Sequence, residues 1–457
     1  MKELLKYLGT ILLFVLLILT WFTLPIITGY AAKVMCSDIF ISQREEKDIM
    51  GKDLGYFPFN LCRFKISYKD SSVIASIGGM AINKAIYQNG FGSKLINNGI
   101  KNKLINPSKV INIHSINQKH ILWPEGDSIP FYLPDSINHS LLNKVINNCF
   151  KHPWKGKSTR AVLVIYKGQI LVEKYAPGFN ENSILTGWSM AKGITNALLA
   201  ILVNKKLLDI HKKPVFEEWR NDIRNKITIE DLMHMSSGLD WSEFYAGPSD
   251  VTRMLFREND MGGYAKNKKS IYDAGSHFYY SSGTANILSL KIRDVLGDSI
   301  YSEFPYKELF HKIGMQHTIL ETDASGTFVG SSYCYATARD WGRFGLLFEN
   351  DGVWKGERIL PEGWVRFSTE TDDKRNDQRW GKYGALWWVN AGDKNNHRHR
   401  RYRDVPEDCY SAMGFEGQSL WIIPSKNLVI VRLSCEHDHL LDGNAFLADI
   451  IKACNKN

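Results

Sequence analysis

The chain has 457 residues, of which 44% are hydrophobic and 23% charged, a balance typical of a globular protein and not of a disordered or fibrous one. Its 57 Lys and Arg residues against 48 Asp and Glu residues give a formal net charge of +9. No basic run is long enough to indicate nucleic acid as a partner. The seven cysteines include no C-x-x-C pair, which argues against zinc-ribbon or thioredoxin-like chemistry, and a chain of this length does not need a disulfide scaffold.

The N-terminal segment is strongly apolar. No charged residue lies between Tyr7 and Ala32, and residues 8–27 are almost continuously hydrophobic. A helix that rises about 1.5 Å per residue crosses a bilayer over this length, so the sequence predicts a retained transmembrane anchor in residues 1–33. A cleaved signal peptide is the alternative, although its apolar region usually spans only about 7–15 residues. A buried core helix is a third interpretation, which the all-round hydrophobicity disfavours.

The charges beside the apolar segment predict its orientation. Lys2 and Lys6 precede it, whereas the stretch that follows is balanced in sign, so the short N-terminus should stay inside the cell. In a bacterium this places a single-pass protein in the inner membrane with its body facing the periplasm. Cysteines can pair in that compartment, where one of the seven would be left over.

The remainder divides by composition into two parts. Residues 34–140 form an N-terminal extension, rich in Asn, Lys and Ile from 89 to 119, to which no activity is assigned. Residues 141–457 carry a dense alternation of apolar runs. Two such runs around Lys167-Gly168 predict a β-hairpin over 161–175. Periodicity predicts helices over 189–208, 229–235 and 285–296 and a buried strand over 428–433.

A serine and a lysine at the start of the first of these helices carry the chemistry. Ser189 and Lys192 are three residues apart and therefore share one helix face. A serine hydroxyl is a weak nucleophile until a base removes its proton, and a buried lysine can be that base. The helix N-terminus also directs free N–H groups towards a developing oxyanion. Alone, this four-residue pattern more often describes a solvated Ser and Lys on a helix surface, because it occurs by chance in most chains.

Two downstream elements strengthen the active-site interpretation. Tyr280 and Ser282 follow a turn and precede a helix, so they are displayed on a loop; Tyr279 fits an aromatic packing role. Later, Gly417 and Gln418 enter an apolar strand, where a glycine permits close backbone approach and leaves the next N–H free for a substrate.

These elements, in this order, resemble the serine β-lactamase and penicillin-binding protein superfamily. The resemblance is closest to class C-like members of the 6-aminohexanoate-dimer hydrolase type and to related esterases. It spans about residues 141–452 and includes stretches that begin at Ile229, Met235, Thr337, Leu360 and Tyr383. It implies a mixed α+β fold: an antiparallel sheet flanked by helices, with an inserted all-helical lobe and the site at their boundary.

The resemblance also implies roles for individual residues. Ser189 would be the acylated nucleophile, Lys192 its base, and Tyr280 the residue that holds or relays the proton. Ser282 would hydrogen-bond Lys192. The backbone N–H groups of Ser189 and Gln418 would form the oxyanion hole, a contribution of ~3 kcal/mol per donor in comparable sites. No metal or cofactor is required.

Two positions depart from the family pattern. Phe415 stands where the family has a lysine or histidine that grips a β-lactam or peptide carboxylate, and Glu416 follows it. Ser282 replaces an asparagine. These departures argue against an efficient β-lactamase or D,D-carboxypeptidase and favour hydrolysis of a small ester or amide. They also motivate the alternative, a membrane-anchored protein that binds a cell-wall fragment without turnover. Substrate identity and oligomeric state do not follow from the sequence.

Three further features have simpler explanations. A basic run over 394–403 could contact phospholipid or an anionic substrate, but a solvated loop is the commoner case. His437-Asp438-His439 lacks a third ligand at zinc spacing. Trp188, Trp387 and Trp388 could line an apolar pocket, although core packing explains them equally well.

Overall fold

The computed structural model describes residues 2–97, 120–130, 134, 136–151, 159–371, 382–392, 399–436 and 441–454; in the first helix the side chains described are Tyr7 and those from Trp21 onward. The helices are α1 Lys2–Phe40, α2 Glu46–Lys52, α3 His139–Asn148, α4 Ala191–Asn204, α5 Ile229–Met233, α6 Asp250–Arg257, α7 Met261–Lys266, α8 Ser282–Leu296, α9 Asp298–Tyr301, α10 Ala338–Glu349, α11 Trp364–Thr369 and α12 Gly443–Cys454.

Within the described residues, the strands lie in four sheets. Their bounds are β1 Arg63–Ser67, β2 Ser72–Ile77, β3 Met80–Gln88, β4 Gly92–Ile96, β5 Thr159–Tyr166, β6 Gln169–Tyr175, β7 Leu185–Thr186, β8 Ile319–Leu320, β9 Cys334–Ala336, β10 Val353–Trp354, β11 Glu357–Arg358, β12 Lys382–Tyr383, β13 Trp388–Val389, β14 Tyr410–Gly414, β15 Gln418–Ile423 and β16 Leu428–Ser434.

The central sheet has seven antiparallel strands in the order β12-β13-β14-β15-β16-β5-β6. Every residue of β5 and β16 is buried, because helices cover both faces of the sheet. On one face α10 comes close through its glycines: a Cβ on Gly345 would lie 2.4 Å from a methyl group of Val429. On the other face α3 and α12 bury a second apolar core. The continuous apolar runs of these strands are thus explained by two-sided cover.

The predicted hairpin and helices are present, with shifted ends. The β5–β6 turn has positive φ at both Lys167 and Gly168, as a two-residue hairpin loop favours. The predicted helix over 189–208 starts as a 3-10 turn and ends at Asn204. It stops there because Lys206 turns left-handed and the Leu207 N–H bonds back to the Leu202 carbonyl oxygen at 2.9 Å.

The N-terminal extension packs on residues 141–457 and does not form a separate body. Strands β1–β4 form one sheet that packs on α1, and α1 continues across residue 33, where the predicted anchor ends. From Thr28 to Ile39 the helix is buried in the same core as α4 and β9. Lys33, 3% exposed, forms an ion pair with fully buried Glu321, which also accepts from Ser37 Oγ at 2.9 Å.

The part of the apolar N-terminal segment whose side chains are described, from Trp21 to Ala32, divides between surface and core. Thr28 to Ala32 are buried in the folded body, whereas Trp21 and Phe22 are 76% and 52% exposed. In the portion of the chain that the structure describes, no helix offers an apolar stretch of sufficient length to cross a membrane.

All seven cysteines are free thiols, and six of them are buried. The pairing that an oxidising compartment would permit is not formed in this structure. Burial raises the pKa of Cys36 to about 12 and that of Cys62 to about 11, so these thiols stay protonated and chemically inert.

The Lys33–Glu321 pair supports a stability prediction. Replacing Lys33 by Met leaves the Glu321 carboxylate buried without its counter-ion, which should lower the free energy of unfolding by about 3–5 kcal/mol. Chemical denaturation of the full chain measures this loss. Lys69→Met, at an exposed lysine, is the control and should change stability little; an equal effect of both substitutions would contradict the argument.

Candidate active site

The candidate nucleophile lies in a tight turn between β7 and α4. Ser189 is the middle residue of a 3-10 turn over Trp188–Met190, and the Met190 N–H bonds to the Gly187 carbonyl oxygen at 3.1 Å. Trp188 has φ +47°, a left-handed conformation that costs a non-glycine residue about 1–3 kcal/mol. The turn holds Ser189, which is partly exposed, immediately before the N-terminus of α4.

Lys192 is 1% exposed and lies in the first turn of α4. Its Nζ atom is 3.1 Å from Ser189 Oγ, 3.1 Å from Ser282 Oγ and 3.0 Å from the Ser331 carbonyl oxygen. An ammonium group fills these three positions with three donated hydrogen bonds. A neutral amine fills them as well, donating two hydrogen bonds and presenting its lone pair to the Ser189 hydroxyl, which is the geometry that a general base requires.

Ser282 connects the lysine to a carboxylate that the sequence analysis did not identify. Ser281 caps α8, with its side chain accepting from the Thr284 N–H at 3.0 Å, so Ser282 begins the helix facing Lys192. Ser282 Oγ donates to Glu243 Oε1 at 2.6 Å, and the Ser282 N–H donates to Glu243 Oε2 at 2.9 Å. A relay of hydrogen bonds thus runs from Ser189 through Lys192 and Ser282 to Glu243.

Two tyrosines border this relay in different ways. The Tyr245 hydroxyl donates to Glu243 Oε1 at 2.8 Å and lies 3.3 Å from Ser282 Oγ. Burial of that hydroxyl, and then the charge of Glu243, hold the pKa of Tyr245 well above its usual value, so the phenol remains a donor. Tyr280 instead presents its ring face to Lys192, with Nζ 4.8 Å from the ring centroid. The role of Tyr280 as proton carrier stays a prediction.

The segment around Gln418, predicted to contribute to the oxyanion hole, contacts the turn that carries Ser189 (the nucleophile turn, residues 187–190) through two glycines. A Cβ on Gly414 would lie 2.1 Å from the Gly187 carbonyl oxygen, so only glycine lets β14 approach this closely. Phe415–Gly417 then form a 3-10 turn in which Glu416 is left-handed, and Gln418 opens β15. The structure therefore brings the main chain around Gln418 next to that around Ser189.

Gly417 and Gln418 are held in place by hydrogen bonds to residues of the neighbouring strand β16. Gln418 is 2% exposed and bonds the main chain of Ser434 on β16, donating at 2.5 Å and accepting at 2.9 Å. Gly417 has φ +79°, and its carbonyl oxygen accepts from Arg432 Nη1 at 3.2 Å. These bonds hold the turn that presents the Gln418 N–H, and they leave the Gln418 side chain out of the site.

The three tryptophans have different surroundings. Trp188 contacts the ring of Phe415, with centroids 5.6 Å apart, and Trp388 stacks on Tyr280 at 5.5 Å. Trp188 and Trp388 therefore lie next to the site residues, Trp188 beside Ser189 and Trp388 against Tyr280. Trp387 is fully buried against Phe344 and Phe348 and belongs to the core.

The structure describes residues 399–403 of the basic run over 394–403. Arg400 forms an ion pair with Glu407 at 2.9 Å, and the exposed Arg401 lies over the Trp388 ring, 6.0 Å from its centroid. Lys394, His397 and Arg398 lie outside the described residues, as does the His437-Asp438-His439 motif.

One buried cluster has metal-ligand chemistry. The ligand atoms of Asp53, Glu416 and Cys435 lie within 4.8 Å of one another. Asp53 already bonds two guanidinium groups, those of Arg44 at 2.5 Å and Arg160 at 2.6 Å. Two arginines on one carboxylate oppose a divalent cation, so the cluster is better described as an ion-pair network.

A partly exposed serine hydrogen-bonded to a buried lysine, between an antiparallel sheet and a helical lobe, is the arrangement of serine enzymes with the β-lactamase-like fold. The chain belongs to the Beta-lactamase family, whose match covers residues 146–439. The resemblance noted from the sequence and the expectation of a serine hydrolase are thereby confirmed, as is the mixed fold with antiparallel sheets and helices.

Individual relatives share parts of the chain. A 6-aminohexanoate-dimer hydrolase of Paenarthrobacter ureafaciens is 24% identical over 298 residues, which are 60% of this chain and 72% of that protein. Among solved structures, a family VIII carboxylesterase superposes with a TM-score of 0.55 at 12% identity, covering 72% of this chain and 99% of its own. EstCE1, a hydrolase with promiscuous acyltransferase activity, gives 0.55 at 14% identity, covering 70% and 99%.

Sequence reasoning named Ser189, Lys192 and Ser282, which the structure brings within hydrogen-bond distance, but it missed Glu243 and Tyr245. A carboxylate two residues from a tyrosine in a polar loop was the available signal. It was too common to use, because nothing in the local pattern shows that this loop returns to the start of α8.

The contact between Gly414 and Gly187 can be tested. Gly414→Ala should displace the turn before Gln418 and lower kcat by about 10- to 1000-fold, the range for a misplaced oxyanion donor. Ester hydrolysis measures the effect. Gly51→Ala, where a Cβ meets nothing within 4 Å, is the matched control and should keep full activity; normal activity in both variants would refute the contact's importance.

Proposed function

We propose that the protein hydrolyses a small ester or amide through an acyl-enzyme on Ser189. The observation that carries this proposal is the buried Lys192 Nζ placed 3.1 Å from Ser189 Oγ. Ser189 Oγ attacks the substrate carbonyl carbon while its proton passes to Lys192, and the N–H groups of Ser189 and Gln418 bind the oxyanion. When the tetrahedral intermediate collapses, the leaving alcohol or amine takes that proton and the acyl group stays on Ser189.

Water completes the cycle. It attacks the acyl-Ser189 carbonyl carbon and gives a proton to Lys192, which returns it to Ser189 Oγ as the acid leaves. Glu243 supports both steps by accepting the hydrogen bond of Ser282 Oγ, which orients the Ser282 oxygen towards Lys192 Nζ. In this scheme Glu243 and Ser282 together take the place of the family's asparagine beside the lysine.

The surroundings of Ser189 favour an apolar, uncharged substrate. Phe415 replaces the cation that binds a carboxylate in β-lactam-recognising relatives, and its ring is 44% exposed beside Trp188. Phe244, Tyr245 and Tyr279 are 58%, 50% and 45% exposed near the other end of the relay. We propose that these rings contact the apolar part of the acyl or leaving group. In this scheme the substrate needs no carboxylate group for recognition.

The decisive experiment is intact-mass spectrometry of the protein after exposure to a fluorophosphonate, a p-nitrophenyl ester and a penicillin. Wild type should gain one adduct with the phosphonate and release a burst of nitrophenol, with little or no penicillin adduct. Ser189→Ala should lose adduct and burst, and Lys192→Ala should lose turnover while staying folded.

Contrary outcomes are equally clear. An adduct that persists in Ser189→Ala would exclude Ser189 as the nucleophile. If wild type acquires no adduct yet binds a cell-wall fragment with the same affinity as Ser189→Ala, the protein is the non-catalytic binding protein that the sequence left open.

We further propose that residues 8–27 anchor the protein in a bacterial inner membrane, with the body in the periplasm. This rests on the uncharged apolar run in the sequence and on the exposure of Trp21, since tryptophan is frequent at membrane interfaces. After alkaline extraction the full chain should remain with the membranes, and a variant with Leu13→Arg and Leu17→Arg should be released. Wild type in the supernatant would contradict the anchor.

A further inference from the structure

Trp188 directly precedes the candidate nucleophile Ser189, and its indole ring packs against other aromatic rings. It is 7% exposed, and its indole N–H is buried with no acceptor among the described residues. Its neighbours are Tyr333, with ring centroids 5.9 Å apart, Phe415 at 5.6 Å and Tyr30 at 6.0 Å. Because Trp188 has the unusual φ of +47°, its neighbours must hold a backbone that would otherwise relax.

Tyr30 makes the most nearly parallel of these contacts. Its ring plane is inclined by only 3° to that of Trp188. The Tyr30 ring is itself held on two other sides, stacked on Phe59 at 4.4 Å and edge-on to Phe256 at 5.4 Å. With 7% exposure and rings around it, Tyr30 has little freedom to move.

The helix that carries Tyr30 is fixed to the catalytic body at nearby points. One residue earlier, a Cβ on Gly29 would lie 2.6 Å from the Phe256 carbonyl oxygen, so α1 and α6 are in backbone contact there. Three residues later, Lys33 forms its buried ion pair with Glu321. Tyr30 and Phe59 both lie outside residues 146–439, the part that matches the family.

We propose that Tyr30 is a positioning residue for the nucleophile. By stacking on Trp188 it holds the strained turn, and with it the adjacent Oγ and N–H of Ser189, in the arrangement that attack requires. Helix α1, which lies outside the family domain, thus completes the active site of this chain. The inference rests on the proposed role of Ser189.

The test compares two stacked rings on the same helix. Phe40 of α1 stacks on Tyr87 at 5.6 Å, inside the extension, and contacts nothing in the nucleophile turn through that ring pair. Tyr30→Leu and Phe40→Leu each remove one stacked ring, so both should lower the melting temperature. Only Tyr30→Leu should slow phosphonate labelling of Ser189 and lower kcat, by about tenfold or more, with KM little changed. Tyr30→Phe, which keeps the ring, should restore both rates.

Each outcome bears on the proposal. Labelling in Tyr30→Leu at the wild-type rate, or an equal loss in Phe40→Leu, would reduce Tyr30 to a structural role and overturn it. If Tyr30→Leu does not fold, Tyr30→Met, which keeps apolar volume without a ring, takes its place under the same criteria. Absence of labelling in wild type would instead refute the proposed function itself, so the two failures are distinguishable.

Discussion

The buried amine of Lys192 is the constraint on which the site depends. An amino group that is 1% exposed is tolerated only when it is hydrogen-bonded, and the three oxygen atoms around it come from three separate parts of the chain. These are the turn before α4, the start of α8 and the loop before β9. The helical lobe and the sheet must therefore close on one nitrogen atom, and this closure places Ser189 beside Lys192.

Glycine contacts and aromatic packing hold the turn that carries Ser189 in this arrangement. Gly414 lets the turn before β15 touch the nucleophile turn, and the Trp188 ring is enclosed by Tyr30, Tyr333 and Phe415. Close-packed protein interiors transmit displacement, because a buried ring has no space into which to move. The geometry at Ser189 is therefore a property of the whole core, which includes the N-terminal extension.

The departures from the family pattern change the chemistry around an intact centre. An asparagine beside a lysine offers a neutral carbonyl; Ser282 backed by Glu243 offers a hydroxyl oxygen with a full negative charge behind it. A lysine at position 415 would attract a carboxylate, whereas Phe415 offers an apolar face. Under the proposed function, the first change keeps a hydrogen-bond partner for Lys192, and the second alters which substrate groups the site recognises.

Several elements were predictable from the sequence because their signals are local. Alternation around Lys167-Gly168 specifies the β5–β6 hairpin, the three-residue spacing puts Ser189 and Lys192 on one face, and motif order indicates the family and its fold. Helix ends were less predictable, since a left-handed Lys206 is selected by the turn that follows α4.

Only the tertiary structure decided which distant residues meet. Glu243 reaches Ser282 across 39 positions, and Tyr30 reaches Trp188 across a far longer separation, through loops and helices whose paths no local pattern encodes. It also decided that Thr28 to Ala32 lie in the protein core, because an apolar sequence records a preference to leave water and does not say whether protein or lipid receives it.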